Sequence, residues 1–164
     1  MTTLTVPLAD EAATMALGRQ LATLVPGGLV LYLHGDLGAG KTTFARAFLG
    51  AIGVGERIKS PTYSLVEGYE VDGRPAFHLD LYRIADPGEL EWLGLDALAE
   101  PGAIVLVEWP ERGTGALPAA DLVLNLTREG SGRSASWQAH GDRGRRVLDG
   151  LSGAVNVPDA SSAG

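Results

Sequence analysis

The chain contains no cysteine, which removes disulfides, thiol nucleophiles and thiolate metal sites together. Histidine is nearly as scarce. His34, His78 and His140 lie far apart in sequence and show no metal-ligand spacing. Positive charge is in short supply too: 13 Lys and Arg stand against 20 Asp and Glu, a net charge of −7. Holding nucleic acid unaided needs a basic face for the phosphates, so the charge argues against the chain doing so by itself, which leaves open work on nucleic acid through partners. No apolar run approaches the ~18 residues of a membrane span, and the N-terminus lacks a basic-then-apolar signal pattern. The expectation is a cytoplasmic protein without a membrane partner. Asparagine occurs at Asn125 and Asn156, neither followed by lysine. The Asn-Lys-x-Asp segment with which GTP switches read guanine is therefore missing.

Glycine is abundant. The 23 glycines are about twice what average usage of ~7% gives, and many sit at turn-like punctuation, which suits a loop-rich α/β protein better than a helical bundle. A chain of 164 residues fits one domain with a real core. That domain is expected over residues 1–151, followed by a disordered tail, 152–164, which has no aromatic residue.

The most informative segment is Gly35-Asp36-Leu37-Gly38-Ala39-Gly40-Lys41-Thr42, which matches the phosphate-binding P-loop pattern G-x-x-x-x-G-K-S/T at every fixed position. Leu29 to Leu33 before it is an apolar run that reads as a strand buried on both faces. After it, Phe44, Phe48 and Ile52 recur at helical spacing. In such a loop the glycines let successive N–H groups turn toward phosphate oxygens, and the helix adds its positive end. Lys41 would reach the β- and γ-phosphates and the Thr42 hydroxyl would bind Mg²⁺.

Around this unit the chain reads as a short edge strand (Thr3 to Val6) and a helix capped by Asp10 that carries Ala13, Leu17, Leu21 and Leu24 on one face. Ser64 to Val71 and Pro75 to Leu81 read as a hairpin around Asp72-Gly73. Asp86-Pro87-Gly88-Glu89 opens a short helix through Leu93. Ala103 to Val107 is a second fully apolar strand, Leu122 to Leu126 and Ser134 to Ala139 a later hairpin, and Arg143 to Leu151 a terminal helix. The fold class this implies is a P-loop NTPase-like α/β three-layer sandwich, its central sheet mostly parallel with antiparallel hairpin additions.

A P-loop site that hydrolyses a nucleotide needs an acid for Mg²⁺ and a group that places the attacking water. Glu108 follows the second apolar strand directly, where a Walker B acid stands; alone it could equally be a surface carboxylate ending a strand. Asp80 is the other candidate. The period of two in Phe77 to Tyr82 puts His78, Asp80 and Tyr82 on one face, which is either a polar site or the solvated side of a strand. Ser60-Pro61-Thr62-Tyr63 is either a loop that senses a γ-phosphate or an ordinary turn.

With these pieces in view, the chain resembles the bacterial TsaE (YjeE) family of small P-loop ATPases. The matching stretches are Gly35 to Thr43, Ser60 to Val66, His78-Leu79-Asp80-Leu81-Tyr82-Arg83 and Glu108-Trp109-Pro110. Their order and spacing agree with the family over most of residues 1–140. The resemblance implies ATP hydrolysis to ADP with Mg²⁺, in support of N6-threonylcarbamoyladenosine formation in tRNAs that read codons beginning with A. The partners it implies are the transferase TsaD and its subunit TsaB, tRNA being handled only through that complex.

By the same resemblance Lys41 and Thr42 bind phosphate and metal, Glu108 is a Mg²⁺ ligand, and Asp80 acts near the γ-phosphate. The nucleotide-binding set further takes in Glu11, Thr14, Asp36, Leu37, Ala39 and Thr43, while Thr62, Tyr82, Arg83 and Trp109 stand beside the site, Trp109 toward the partner surface. Arg83 and Arg112 are the internal candidates for an arginine finger, each also readable as a surface ion pair. The alternative activity is a P-loop kinase acting on a small hydroxylated metabolite, which needs arginines closing over the phosphates; Arg112 is the one its lid would use.

Overall fold

Side chains that are apolar on both faces of a strand suit the middle of a parallel sheet, and the two apolar runs are found there. The computed structural model describes residues 2–25, 27–36, 38–54, 57–58, 66–88, 90 and 98–156. Its elements run β1 (Thr2–Leu8), α1 (Glu11–Ala22), β2 (Leu29–Gly35), α2 (Lys41–Ile52), β3 (Arg57–Ile58), β4 (Val66–Val71), β5 (Arg74–Asp80), β6 (Ile104–Glu108), β7 (Leu122–Glu129), β8 (Gly132–Ala139) and α3 (Gly141–Asn156). They form one eight-stranded sheet in the order β1-β8-β7-β2-β6-β5-β4-β3. The central four strands, β7-β2-β6-β5, are parallel. Antiparallel strands extend the sheet on both sides.

Period-two alternation divides the core between the faces of the sheet. Leu29, Leu31 and Leu33 of β2 point to the face covered by the three helices, where Phe44, Phe48, Leu17, Leu21 and Trp137 are buried. Each such side chain contributes roughly 1.5–3 kcal/mol by leaving water. The Phe44 and Trp137 rings meet edge to face at 5.8 Å. Val30 of β2 and Val105 and Val107 of β6 point the other way, against Leu79, Leu81, Ile84, Leu90 and Leu98. Among the described residues this third layer consists of turns and short 3-10 segments.

Local signals set several boundaries. The Asp10 carboxylate accepts the Ala13 N–H at 2.8 Å and caps α1, a contact that stabilises by about 1 kcal/mol. Asp72 and Gly73 both take left-handed backbone (φ 51° and 78°) and turn β4 into β5, as a two-residue hairpin loop requires. The edge strand pairs with β8, Thr2 opposite Ala139, and the β7–β8 hairpin closes around Gly130-Ser131. The terminal helix is longer than its sequence pattern suggested, starting at Gly141 and continuing to Asn156. The start of the Ser64 strand and the end of the segment through Leu93 lie outside the described residues. No helix among the described residues is long and apolar enough to cross a membrane.

Candidate nucleotide site

Three central parallel strands deliver the candidate residues to one end of the sheet. β2 ends in Gly35 at the start of the loop, β5 ends in Asp80 and β6 ends in Glu108. Asp80 and Glu108 are direct partners across β5 and β6, and Leu33 is the partner of Glu108 across β2 and β6. The cleft above them has a volume of about 300 Å³. The loop and α2 contribute Gly38, Gly40, Lys41, Thr42 and Thr43 to it. The strand ends contribute Asp80, Tyr82, Glu108 and Trp109, and Glu11 reaches it from the first turn of α1.

Gly35, Gly38 and Gly40 all take positive φ in the loop. A Cβ at Gly35 would lie 2.6 Å from the Leu126 carbonyl oxygen. Gly40, at φ 107°, is the N-cap of α2 and offers no side chain to the first-turn N–H groups, which leaves them directed at the cleft. Lys41 is 5% exposed. Its ammonium donates to the Gly35 carbonyl and lies 3.7 Å from the centre of the Trp109 ring. Burial pushes Lys41 below the ordinary lysine value, against the opposing pull of Glu108, Asp80, Glu111 and Asp36.

Glu108 is buried, and both its oxygens accept from Thr42 Oγ1, at 2.9 and 3.0 Å. Asp80, half-buried, accepts the Tyr82 N–H through Oδ1 at 3.1 Å. Trp109 adopts left-handed backbone (φ 59°) directly after Glu108, which carries its ring back over Lys41 and to 5.1 Å from the Tyr82 ring. Arg112 donates to the Ile84 carbonyl at 3.3 Å and lies against the Tyr82 and Trp109 rings.

Other sequence candidates fall around the cleft. Thr14 is buried behind the loop, its methyl near Gly40. Asp36 is exposed and accepts the Ala39 N–H through its carbonyl. Arg83 is exposed and does not line the cleft. Leu37 and Thr62 lie outside the described residues.

Two participants escape sequence reasoning. Arg128 and Arg133, at the far end of the β7–β8 hairpin, both donate to the Gly38 carbonyl, at 3.2 and 3.4 Å. Arg133 lines the cleft, and its Nε is buried without a partner. Nothing in local sequence ties a hairpin arginine to a loop 95 residues earlier. His78, which the period of two places on the face of Asp80 without giving it a role, has Nε2 2.6 Å from Glu108 Oε2. An uncapped helix start, a buried ammonium resting on a carbonyl and an orphaned guanidinium N–H form a donor set suited to a phosphate chain. No cluster of three His, Cys, Asp or Glu placed to hold a metal occurs among the described residues. A cation at Thr42 and Glu108 would therefore draw further oxygens from phosphate and water.

Comparison with known proteins agrees with this architecture. A crystal structure of Bacillus subtilis YdiB superposes with a TM-score of 0.73 at 29% identity, over 94% of this chain and 97% of that one. The Haemophilus influenzae tRNA threonylcarbamoyladenosine biosynthesis protein TsaE is 38% identical over 157 residues, covering 93% of this chain and 99% of the relative. Its Bacillus subtilis namesake is 35% identical over 145 residues, covering 88% and 90%. The family model described as threonylcarbamoyl adenosine biosynthesis protein TsaE matches residues 8–135, a stretch that runs from the end of β1 past Arg133 and so takes in every cleft residue named above. With its motifs, its sheet and its relatives in agreement, the chain belongs to the TsaE family.

Proposed function

We propose that this chain is a Mg²⁺-dependent P-loop ATPase that supports formation of N6-threonylcarbamoyladenosine in tRNA, together with a TsaD-like transferase and a TsaB-like subunit in the cytoplasm. The observation that carries the reading is the 2.9 Å contact between the hydroxyl of the P-loop threonine and the carboxylate that ends the neighbouring parallel strand. The names of the family and of its relatives support the tRNA modification.

Each residue has a task in this reading. Lys41 exchanges the Gly35 carbonyl for phosphate oxygens, and the first-turn amides of α2 take the remainder of the phosphate chain. Thr42 and Glu108 are the residues that would hold Mg²⁺, which when bound neutralises charge on the β- and γ-phosphates. Asp80 acts at the γ-phosphate end by ordering water or metal. Turnover by the isolated protein is slow, because part of the transition-state stabilisation comes from the partner complex. The kinase alternative needs arginines closing over the phosphates; Arg112, the one its lid would use, is tied to the Ile84 carbonyl, and Arg133 in the cleft suits either reading.

The test compares ADP release by the purified protein alone, with the transferase complex, and with a mixture of small hydroxylated metabolites. Stimulation by the complex is expected, whereas stimulation by metabolites alone would favour the kinase. Analysis of tRNA nucleosides from cells depleted of the protein is expected to show loss of threonylcarbamoyladenosine. An unchanged level would remove the proposed role.

A further inference from the structure

His78 is 5% exposed and belongs to none of the groups assigned above to nucleotide or metal. It sits two residues before Asp80 on β5 and so shares its face. Asp80 pairs directly with Glu108, which places His78 diagonally across from the acid. Its Nε2 reaches Glu108 Oε2 at 2.6 Å. An ionised carboxylate only accepts, so Nε2 carries the proton and donates. On the other side His78 faces Glu67 directly across β4 and β5, with Nδ1 3.9 Å from Glu67 Oε1. Glu67 in turn accepts from the Tyr69 hydroxyl at 2.9 Å.

We propose that His78 is a positioning residue for Glu108, one of two buried members, with Glu108 itself, of a polar chain Glu67–His78–Glu108–Thr42 that fixes the acid at the nucleotide site. The inference rests on the reading of Glu108 and Thr42 as the metal-holding pair. With the imidazole on Oε2 and the Thr42 hydroxyl across both oxygens, the plane and direction of the carboxylate are set before any cation arrives. Without the imidazole the carboxylate turns about its last bond, and a cation must first reorder it. Groups that orient a metal ligand in this way typically change metal affinity 10- to 100-fold when removed. A histidine that merely fills space would leave metal affinity untouched.

The experiment measures ATP binding by calorimetry as a function of Mg²⁺, without turnover, for the parent protein, His78→Ala, His78→Gln, Glu108→Gln and the double variant His78→Ala/Glu108→Gln. His78→Ala is expected to raise the Mg²⁺ concentration at half-effect by about tenfold or more while ATP affinity without Mg²⁺ stays within about twofold. His78→Gln, which keeps an N–H donor, recovers most of the loss. In the Glu108→Gln background His78→Ala adds nothing, because the two residues act as one unit. An unchanged Mg²⁺ midpoint in His78→Ala, or the same shift with and without the Glu108 carboxylate, would overturn the proposal.

If His78→Ala does not fold, His78→Leu fills the site without a donor, and the proposal then requires His78→Gln to bind Mg²⁺ more tightly than His78→Leu; equal binding overturns it. In protein free of nucleotide and metal, nitrogen NMR shifts of His78 are expected to show the proton on Nε2, and the opposite tautomer overturns the donor assignment. A parent protein whose ATP affinity ignores Mg²⁺ sinks the reading of the site itself. A Mg²⁺-dependent parent with indifferent His78 variants sinks only the positioning role.

Discussion

Thr42 and Glu108 stand 66 positions apart in the chain, yet the hydroxyl of one spans both oxygens of the other at 2.9 and 3.0 Å. The contact fastens the first turn of α2 to the end of β6, and it leaves Asp80 as a second acid with a different environment. That difference separates the two carboxylates experimentally. Glu108→Ala and Asp80→Ala are both expected to fold and to lose ATP turnover by about 10²-fold or more. Glu108→Ala additionally strands His78 Nε2 and lowers stability by about 1–3 kcal/mol, whereas Asp80→Ala stays within about 0.5 kcal/mol. Steady-state ADP release and chemical denaturation check both halves. Equal stability losses would contradict the difference in burial, and full activity in either variant would remove that acid from the mechanism.

Lys41 carries a charge that burial disfavours in the folded state, so its folded value lies below the ordinary lysine value. Between the two values the unfolded chain binds more protons, and the stability of the parent protein rises with pH through that window. Below it the cost of the buried charge is present in full. Lys41→Met keeps the stem without the charge. It is expected to be the more stable protein near neutral pH, to lose that advantage as pH rises toward the lysine range, and to bind no ATP. Urea unfolding of both proteins at about pH 7 and about pH 10 checks the sign. A parent that loses ground to the variant with rising pH would contradict it.

Gly18 brings α1 close against α2. A Cβ there would lie 2.8 Å from the Phe44 carbonyl oxygen and 3.1 Å from the Phe48 amide nitrogen. Replacing a helix-interior glycine by alanine ordinarily stabilises by about 0.5–1 kcal/mol. Forcing two helix backbones apart costs roughly 1–3 kcal/mol, so the clash decides the sign. Gly18→Ala is expected to lower stability by about 1 kcal/mol or more, read as a shifted denaturation midpoint. A variant as stable as the parent would show that α1 can slide without loss.

The Trp109 ring rests 3.7 Å from the Lys41 ammonium. A phosphate that draws the ammonium away changes the surroundings of the indole, so ATP is expected to change tryptophan fluorescence. Trp137 is wholly buried against Phe44 on the helical face, away from the cleft. In a Trp92→Phe background, which removes the third indole, outside the described residues, Trp109→Phe should abolish the signal while leaving ATP binding measurable by calorimetry. A nucleotide-dependent signal that persists in Trp109→Phe would place the reporter elsewhere.

How much of this was legible depends on the distance over which each signal acts. The P-loop, the Asp10 cap and the Asp72-Gly73 turn are local chemistry, and sequence places all three. The apolar runs of β2 and β6 mark central strands because nothing else buries both faces. Asp80 and Glu108 could be named from their position at strand ends, but their direct pairing needs the parallel register. Local spacing carries no trace of the Arg133 contact with Gly38, nor of the left-handed turn at Trp109 that sends its ring back over Lys41. The irregular third layer was equally hidden, since turns leave no period to read.

The pairing of β1 with β8 puts the first strand of the chain beside one of the last, and that hairpin carries the arginines that touch Gly38. A ribosome releases Thr2 long before Ala139, so β1 waits unpaired while α1, β2 and the loop emerge. Such a long-range pairing is slow to form because the whole intervening chain must close first. A nascent chain truncated before Leu122 would hold the lysine and both acids but neither arginine and no partner for its first strand. The two arginine contacts to the Gly38 carbonyl are therefore made late, with the same hairpin that gives the first strand its partner.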